Sequence, residues 1–314
     1  MAIMLRLHAV QNKEGPSGPL TPSCVADQPG RQHKRSMIHI RSKFLSFVRL
    51  LAACSLLTPG LAAGQDMASP WASGANSQAR LLAAGGLQHV GPSPFYRAGI
   101  EIELKGDAHT YWRQPGDAGI PPSMTLTGSR NVKTAQLRFP APERIDESGL
   151  QVLGYRGSVL LPLDIEPQDP ASPVRLALTF HYAACAKICI PAEARGEVEL
   201  APKALPGPHA ARLAEAVAKI PQRVANGSIV ALSIAAQAGS APPAWQVRIA
   251  KPEGPWRDLF AEGPPNWYFE TKASAGGFEI IAVEAPKDAT YPVLVTLTLD
   301  GAQDYEIGID LPRP

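Results

Sequence analysis

Two cysteines, Cys185 and Cys189, stand with three residues between them in the run 180–193, F-H-Y-A-A-C-A-K-I-C-I-P-A-E. The other two cysteines, Cys24 and Cys54, fall within the first 63 residues. Thiols at this spacing can exchange electrons with another thiol pair, hold a soft metal ion, or close a structural bridge. Lys187 lies between them and His181 four residues before the first. Positive charge nearby favours thiolate, the species that attacks disulfides. A bridge here closes a loop of only five residues, worth roughly 2 kcal/mol by chain entropy against about 3 kcal/mol for fifteen. A chain of 314 residues can build a sizeable core without staples. The spacing therefore suits a redox device better than a staple, although a plain hairpin staple in an exported domain stays open.

The flanking residues say how the thiols are held. Val174, Leu176, Leu178, Phe180 and Tyr182 alternate with Arg175, Ala177, Thr179 and His181, which is the period of a half-buried strand. A weaker alternation after Pro191 ends in Val198 and Leu200 between Glu197 and Glu199. The two runs predict a hairpin with the cysteines at its neck. Antiparallel neighbours bring Cα atoms within about 4.5–5.5 Å, inside the range a disulfide needs. Pairing is feasible on these grounds, and the sequence leaves it at that.

Elsewhere, charged residues are 18% and apolar ones 45%, with 32 prolines and 27 glycines spread throughout. That composition fits a folded chain of one to three domains made of short strands and turns. Strand-like runs occur at 99–104, 133–139 and 174–200, and 152–165 reads as a loop followed by a strand. Residues 64–85, rich in Ala, Gly and Ser, read as a flexible segment. Ala210, Leu213, Ala214, Val217 and Ile220 recur at helical spacing, predicting one short connecting helix. Six further strand-like runs follow between 229 and 311. The expected fold is all-β: two immunoglobulin-like β-sandwich domains joined by a short helical linker. The boundaries are 86–201 for the cysteine-bearing domain, 202–224 for the linker and 225–314 for a second sandwich without cysteines. Trp245, Trp256, Trp267 and Tyr268 are expected in packing rather than in a ligand site.

Residues 37–63 have a basic start at Arg41, Lys43 and Arg49, an apolar stretch from 50 to 57, and small residues at Ala62 and Ala63. This is the pattern of a secretory signal peptide, so 1–63 is taken as an N-terminal extension plus signal, with Met37 as the natural start. A lipoprotein anchored at Cys54 is the lesser alternative. Residues 1–63 carry eight Lys/Arg against two Asp/Glu, so removing that surplus of six turns the chain's net charge from +2 to −4. Nucleic-acid binding then has no electrostatic support. No later stretch approaches the ~20 apolar residues that span a bilayer.

The run H-Y-A-A-C-A-K-I-C-I-P-A-E, preceded by G-Y-R-G-S-V-L-L-P-L and by T-Y-W-R-Q-P-G, resembles the periplasmic N-terminal domain of the thiol:disulfide interchange protein DsbD. It is similar in particular to the two-sandwich variants of ScsB-type proteins. The match covers roughly 86–200 well and 225–312 more loosely. The resemblance implies an immunoglobulin-like fold with a redox-active pair, Cys185 and Cys189, and puts the mixed disulfide on Cys189. It implies a shielding lid at 153–157 with Tyr155 as its aromatic residue, and places Trp112 and Arg113 beside the site. It also implies protein-disulfide reductase activity in the periplasm, taking electrons from a transmembrane donor and passing them to thioredoxin-like proteins. Those serve disulfide isomerisation, cytochrome c maturation or copper stress. DsbD has a wider cysteine spacing, and its transmembrane and thioredoxin-like parts have no counterpart here, so the donor is expected on a separate polypeptide. No cofactor, metal or small-molecule substrate is expected.

Two other readings compete. Cys-x-x-x-Cys followed closely by Pro191 is similar to Sco-type copper chaperones, with His109 or His181 as a third ligand; those proteins have a thioredoxin fold, for which the βαβ pattern is missing. A non-catalytic two-sandwich interaction protein with a structural disulfide is the other. The charge pairs Asp146-Glu147 and Glu101/Glu103 read as solvated strand or loop charges. No Ser-His-Asp set, phosphate loop or carboxylate pair is present, which argues against a hydrolase.

Overall fold

The computed structural model describes residues 67–314 apart from positions 92, 117 and 253. The leader, Met37, the alternative lipid anchor Cys54 and Cys24 lie outside the described residues. In the first half the strands run β1 (Ala72–Ser73), β2 (Ser77–Ala83), β3 (Tyr96–Leu104), β4 (His109–Gly116), β5 (Ser123–Thr125), β6 (Val132–Leu137), β7 (Glu143–Glu147), β8 (Leu150–Arg156), β9 (Ser158–Pro167), β10 (Val174–Cys185) and β11 (Cys189–Leu200). They pair into a sheet of order β1-β2-β3-β9-β6 and another of order β11-β10-β4-β8-β7, with β5 added to β10.

Alternation explains how the two sheets face each other. Tyr96, Ala98, Ile100 and Ile102 of β3 and Val159, Leu161, Leu163 and Ile165 of β9 point inward. They meet Trp112 and the even-numbered residues of β10 from Val174 to Tyr182 in one buried core. Residues 72–83, expected to be flexible, are strands instead: β2 pairs with β3 along seven residues and buries Ala79, Leu81 and Ala83. The stretch 150–165 is likewise strand on both sides of Gly157, whose φ of +66° makes the turn.

The predicted helix is present as α1 (Ala210–Ala218). It is more than a connector, because Leu213 is buried against Leu82 and Ala84 on the outer side of the first sheet. Gly99 permits that approach; a Cβ there would stand 2.6 Å from Leu213 Cδ2.

After α1 come β12 (Gln222–Ala225), β13 (Ala231–Ala236), β14 (Ala244–Lys251), β15 (Asp258–Glu262), β16 (Tyr268–Ser274), β17 (Gly277–Glu284), β18 (Val293–Asp300) and β19 (Tyr305–Leu311). They form two four-stranded sheets, β12-β19-β18-β15 and β13-β14-β17-β16. Trp245 and Trp267 lie in the core between them, and Trp245 Nε1 donates to the Pro312 carbonyl at 2.8 Å. The two sandwiches meet through Phe260 of β15, which joins the first core with its ring 5.9 Å from that of Trp112. Polar contacts flank that ring. Arg113 donates to Glu262 at 2.6 and 2.7 Å and to Glu306 at 2.8 Å. Arg144 donates to both oxygens of Asp258 at 2.6 and 2.8 Å. Among the described residues no helix is long and apolar enough to cross a membrane.

Candidate functional site

The β10–β11 hairpin closes on Cys185 opposite Cys189, the last pair of its register, and the two are joined as a disulfide with Cα atoms 3.9 Å apart. Cys185 also pairs with His109 at the start of β4. The two sulfurs differ in access. Cys185 is fully buried, whereas Cys189 is exposed beside Lys187 and Ile188.

The bridge sits on the outer face of the second sheet, opposite the sandwich core. Beneath it is a small apolar floor of Tyr111, Ile145, Val152 and Ala183. Each reaches that face by strand alternation: His109 and Tyr111 share it on β4, while Thr110 and Trp112 take the other. On β7 the same alternation carries Ile145 and Glu147 to the bridge. β7 ends at Glu147 because Ser148 and Gly149, with φ of +58° and +89°, make a two-residue turn into β8. That turn leaves the Glu147 side chain over the sulfurs.

The contacts are close. The Tyr111 hydroxyl donates to Glu147 Oε2 at 2.8 Å, and its oxygen lies 3.0 Å from Cys185 Sγ and 3.2 Å from Cys189 Sγ. Glu147 Oε1 is 2.8 Å from Cys189 Sγ. A disulfide sulfur carries no proton, so this last contact becomes a hydrogen bond once Cys189 is a thiol. His109, buried, stands edge-on to the Tyr111 ring at 5.5 Å and puts Nε2 3.3 Å from Glu147 Oε2. Burial, reinforced by the neighbouring Glu147 carboxylate, pushes the Tyr111 phenol far above its ordinary value. Tyr111 therefore keeps its proton, and remains a donor, throughout the working pH range.

Residues 92–200 match the family described as thiol:disulfide interchange protein DsbD, N-terminal. That span runs from just before β3 to the end of β11 and contains both cysteines, Tyr111 and Glu147. The match lies within the cysteine-bearing sandwich and stops before the second one. Among solved structures, the N-terminal periplasmic domain of ScsB from Proteus mirabilis superposes with a TM-score of 0.62 at 14% identity, over 79% of this chain and 100% of that one. At that identity the likeness is one of fold, and it extends across both sandwiches. No curated protein sequence matches the chain.

The residues expected around the pair are placed unevenly. Lys187 is in the exposed loop between the cysteines. His181 is on the same strand as Cys185, but four strand residues span about 13 Å, and its Nδ1 faces Glu193 Oε2 at 3.6 Å instead. Tyr155 is no lid. It pairs with Thr110, lies in the inter-sheet core on the opposite face from the sulfurs, and donates its hydroxyl to the Pro140 carbonyl at 2.9 Å. Trp112 is buried in that same core, and Arg113 is turned to the second sandwich. The aromatic residue against the disulfide is Tyr111, and the acid is Glu147. Glu147 is legible in part: Ile145 and Glu147 sit two apart, so an apolar Ile145 facing a floor carries Glu147 to the same face. Beside Asp146 in the sequence Glu147 reads as a solvated charge, and only the pairing of β7 with β8 brings it to the sulfurs.

Proposed function

We propose that this chain is a thiol–disulfide exchange protein that passes two electrons through Cys185 and Cys189. The single observation carrying this reading is the asymmetry of the bridge: an exposed Cys189 sulfur, bonded to a buried Cys185 sulfur, lies within hydrogen-bond reach of a carboxylate. A bare staple has no use for that carboxylate.

A donor thiolate attacks Cys189 Sγ, forming a mixed disulfide, and the Cys185–Cys189 bond breaks with Cys185 leaving as thiolate. The donor's second thiolate attacks its own sulfur in the mixed disulfide and releases Cys189, so the donor ends oxidised and this pair reduced. Protons reach the released sulfurs, Glu147 holding the one exchanged with Cys189 and the Tyr111 hydroxyl lying against both. Discharge onto an acceptor disulfide runs the same steps in reverse, with Cys189 attacking and Cys185 resolving. Burial of Cys185 confines partners to Cys189, the sulfur that the family resemblance assigns to the mixed disulfide.

In this reading the first sandwich, whose strands begin at Ala72 and end at Leu200, is the redox domain, 202–224 the helical linker packed on it and 225–314 a cysteine-free second domain. The site of action is the periplasm, reached through the leader in 1–63. The donor is a membrane-embedded dithiol protein, and the acceptors are thioredoxin-like proteins serving disulfide isomerisation, cytochrome c maturation or copper stress. The decisive experiment is trapping. Cys185→Ala should accumulate a mixed disulfide with a thioredoxin-like partner on a non-reducing gel, and Cys189→Ala should not. A reduction potential below about −300 mV, the range of inert structural bridges, would overturn the reading.

A further inference from the structure

Opening the disulfide changes what the cluster is able to hold. Two sulfurs, an imidazole and a carboxylate then stand together with no bond between the sulfurs. His109, Glu147 and Cys185 already place one ligand atom each within 4.8 Å of one another, and Cys189 Sγ is 2.8 Å from Glu147 Oε1. We infer that the reduced Cys185–Cys189 pair, together with His109 and Glu147, binds one zinc ion.

Tetrahedral zinc takes thiolate at about 2.3 Å and nitrogen or oxygen at about 2.0–2.2 Å, which spaces the ligand atoms roughly 3.3–3.8 Å apart. The four donors need only small side-chain movements to reach that spacing, because the strands have already gathered them. His109 and Cys185 face each other across the β4–β10 pair, and Glu147 projects from the last position of β7. His109 is 4% exposed, so its donor nitrogen is held toward the cluster and not toward solvent. Tyr111 occupies Glu147 Oε2, leaving Oε1 on the Cys189 side, and a hydroxyl on the non-ligating oxygen is the kind of outer contact that orients a metal-bound carboxylate. The apolar floor beneath lowers the local dielectric and strengthens the charge interactions.

The donor set also selects the metal. Copper(I) is satisfied by the soft thiolates, whereas an imidazole and a carboxylate completing a four-coordinate set suit zinc. Binding releases the two thiol protons. The two electrons that open the bridge come from a dithiol reductant, which is itself oxidised to a disulfide. The oxidised protein presents no thiolate and holds no zinc, and zinc in turn protects the dithiol from reoxidation. The inference shares with the exchange reading only the requirement that the bond opens.

The test uses protein reduced with a phosphine, its free thiols counted, then titrated with Zn2+ against a chromophoric chelator. One zinc per chain is expected for the reduced protein and none for the oxidised one. His109→Ala and Glu147→Gln should each weaken binding at least tenfold, with circular dichroism unchanged, and Co2+ should give a thiolate-to-metal absorption band in the reduced wild type. Reduced protein that binds no more tightly than Cys185→Ala/Cys189→Ala overturns the inference, as does undiminished affinity in both the His109 and Glu147 variants. A gain of two free thiols on reduction without zinc uptake removes this inference alone, while failure to gain two thiols removes the exchange reading as well.

Discussion

Glu147 holds a carboxylate 2.8 Å from the sulfur that solvent reaches. Its charge opposes thiolate formation at Cys189, while its oxygen offers the thiol proton somewhere to go. The Tyr111 hydroxyl donates to the same carboxylate and its oxygen lies against both sulfurs, so Tyr111, Glu147 and the two cysteines act as a unit. Replacing Glu147 by Gln keeps the shape and removes the charge. Reduced Glu147→Gln protein should therefore carry more thiolate at Cys189, and alkylation at neutral pH should quicken by roughly tenfold, the equivalent of about 1.4 kcal/mol. Slower alkylation would show that proton acceptance, not repulsion, is the carboxylate's main effect. The lysine and histidine flanking the thiols in sequence lack this leverage: Lys187 is in solvent and His181 is engaged with Glu193.

At the scale of elements, the site is a product of β4, β7, β8 and the β10–β11 hairpin. β8 is the hidden member, since it contributes Val152 to the floor and fixes β4 and β7 on either side of itself. Gly154 pairs with both Tyr111 and Glu143. A Cβ at this position would collide with the Thr110 carbonyl oxygen, which is backbone and cannot move aside. Gly154→Ala should push β4 from β8, cost roughly 1–3 kcal/mol in urea unfolding, and slow exchange by displacing Tyr111. A variant with wild-type stability would mean that the strands part without strain. α1 shows the same dependence on a missing side chain, since Gly99 makes the space that Leu213 fills.

For the whole molecule, the junction between the sandwiches combines one aromatic contact with two arginines. Arg113 lies between Glu262 and Glu306, and burial of this guanidinium is outweighed by the two carboxylates, so its pKa is raised. Arg113→Ala should lower stability by about 1.5–3 kcal/mol, the range for hydrogen bonds to charged groups, and split thermal unfolding into two transitions. One cooperative transition would show that Phe260 and Arg144 are enough to couple the halves. Burial pushes the Glu306 carboxyl up, but Arg223 and Arg113 outweigh it and the net pKa is lowered. A depressed folded pKa stabilises above the ordinary carboxylate value and is lost as pH falls through the folded one. Melting temperature should therefore drop as pH is lowered below about 4, and Glu306→Gln should flatten that part of the profile.

Period-two alternation, turn residues and the short helical run are local properties, and they were enough to read an all-β chain, the β10–β11 hairpin and the juxtaposed cysteines. β12 and β15 escaped because four- and five-residue strands carry too little pattern, and β2 because small residues read as flexible when no partner strand is in view. The side chains around the sulfurs were a different matter. Cys185 meets His109 across β10 and β4, 76 positions away in sequence, and Glu147 arrives from a third strand. Tyr155 and Trp112, expected beside the pair, face the core because strand parity and sheet order assign each side chain to one face, and only the pairing of distant strands decides which face holds the disulfide.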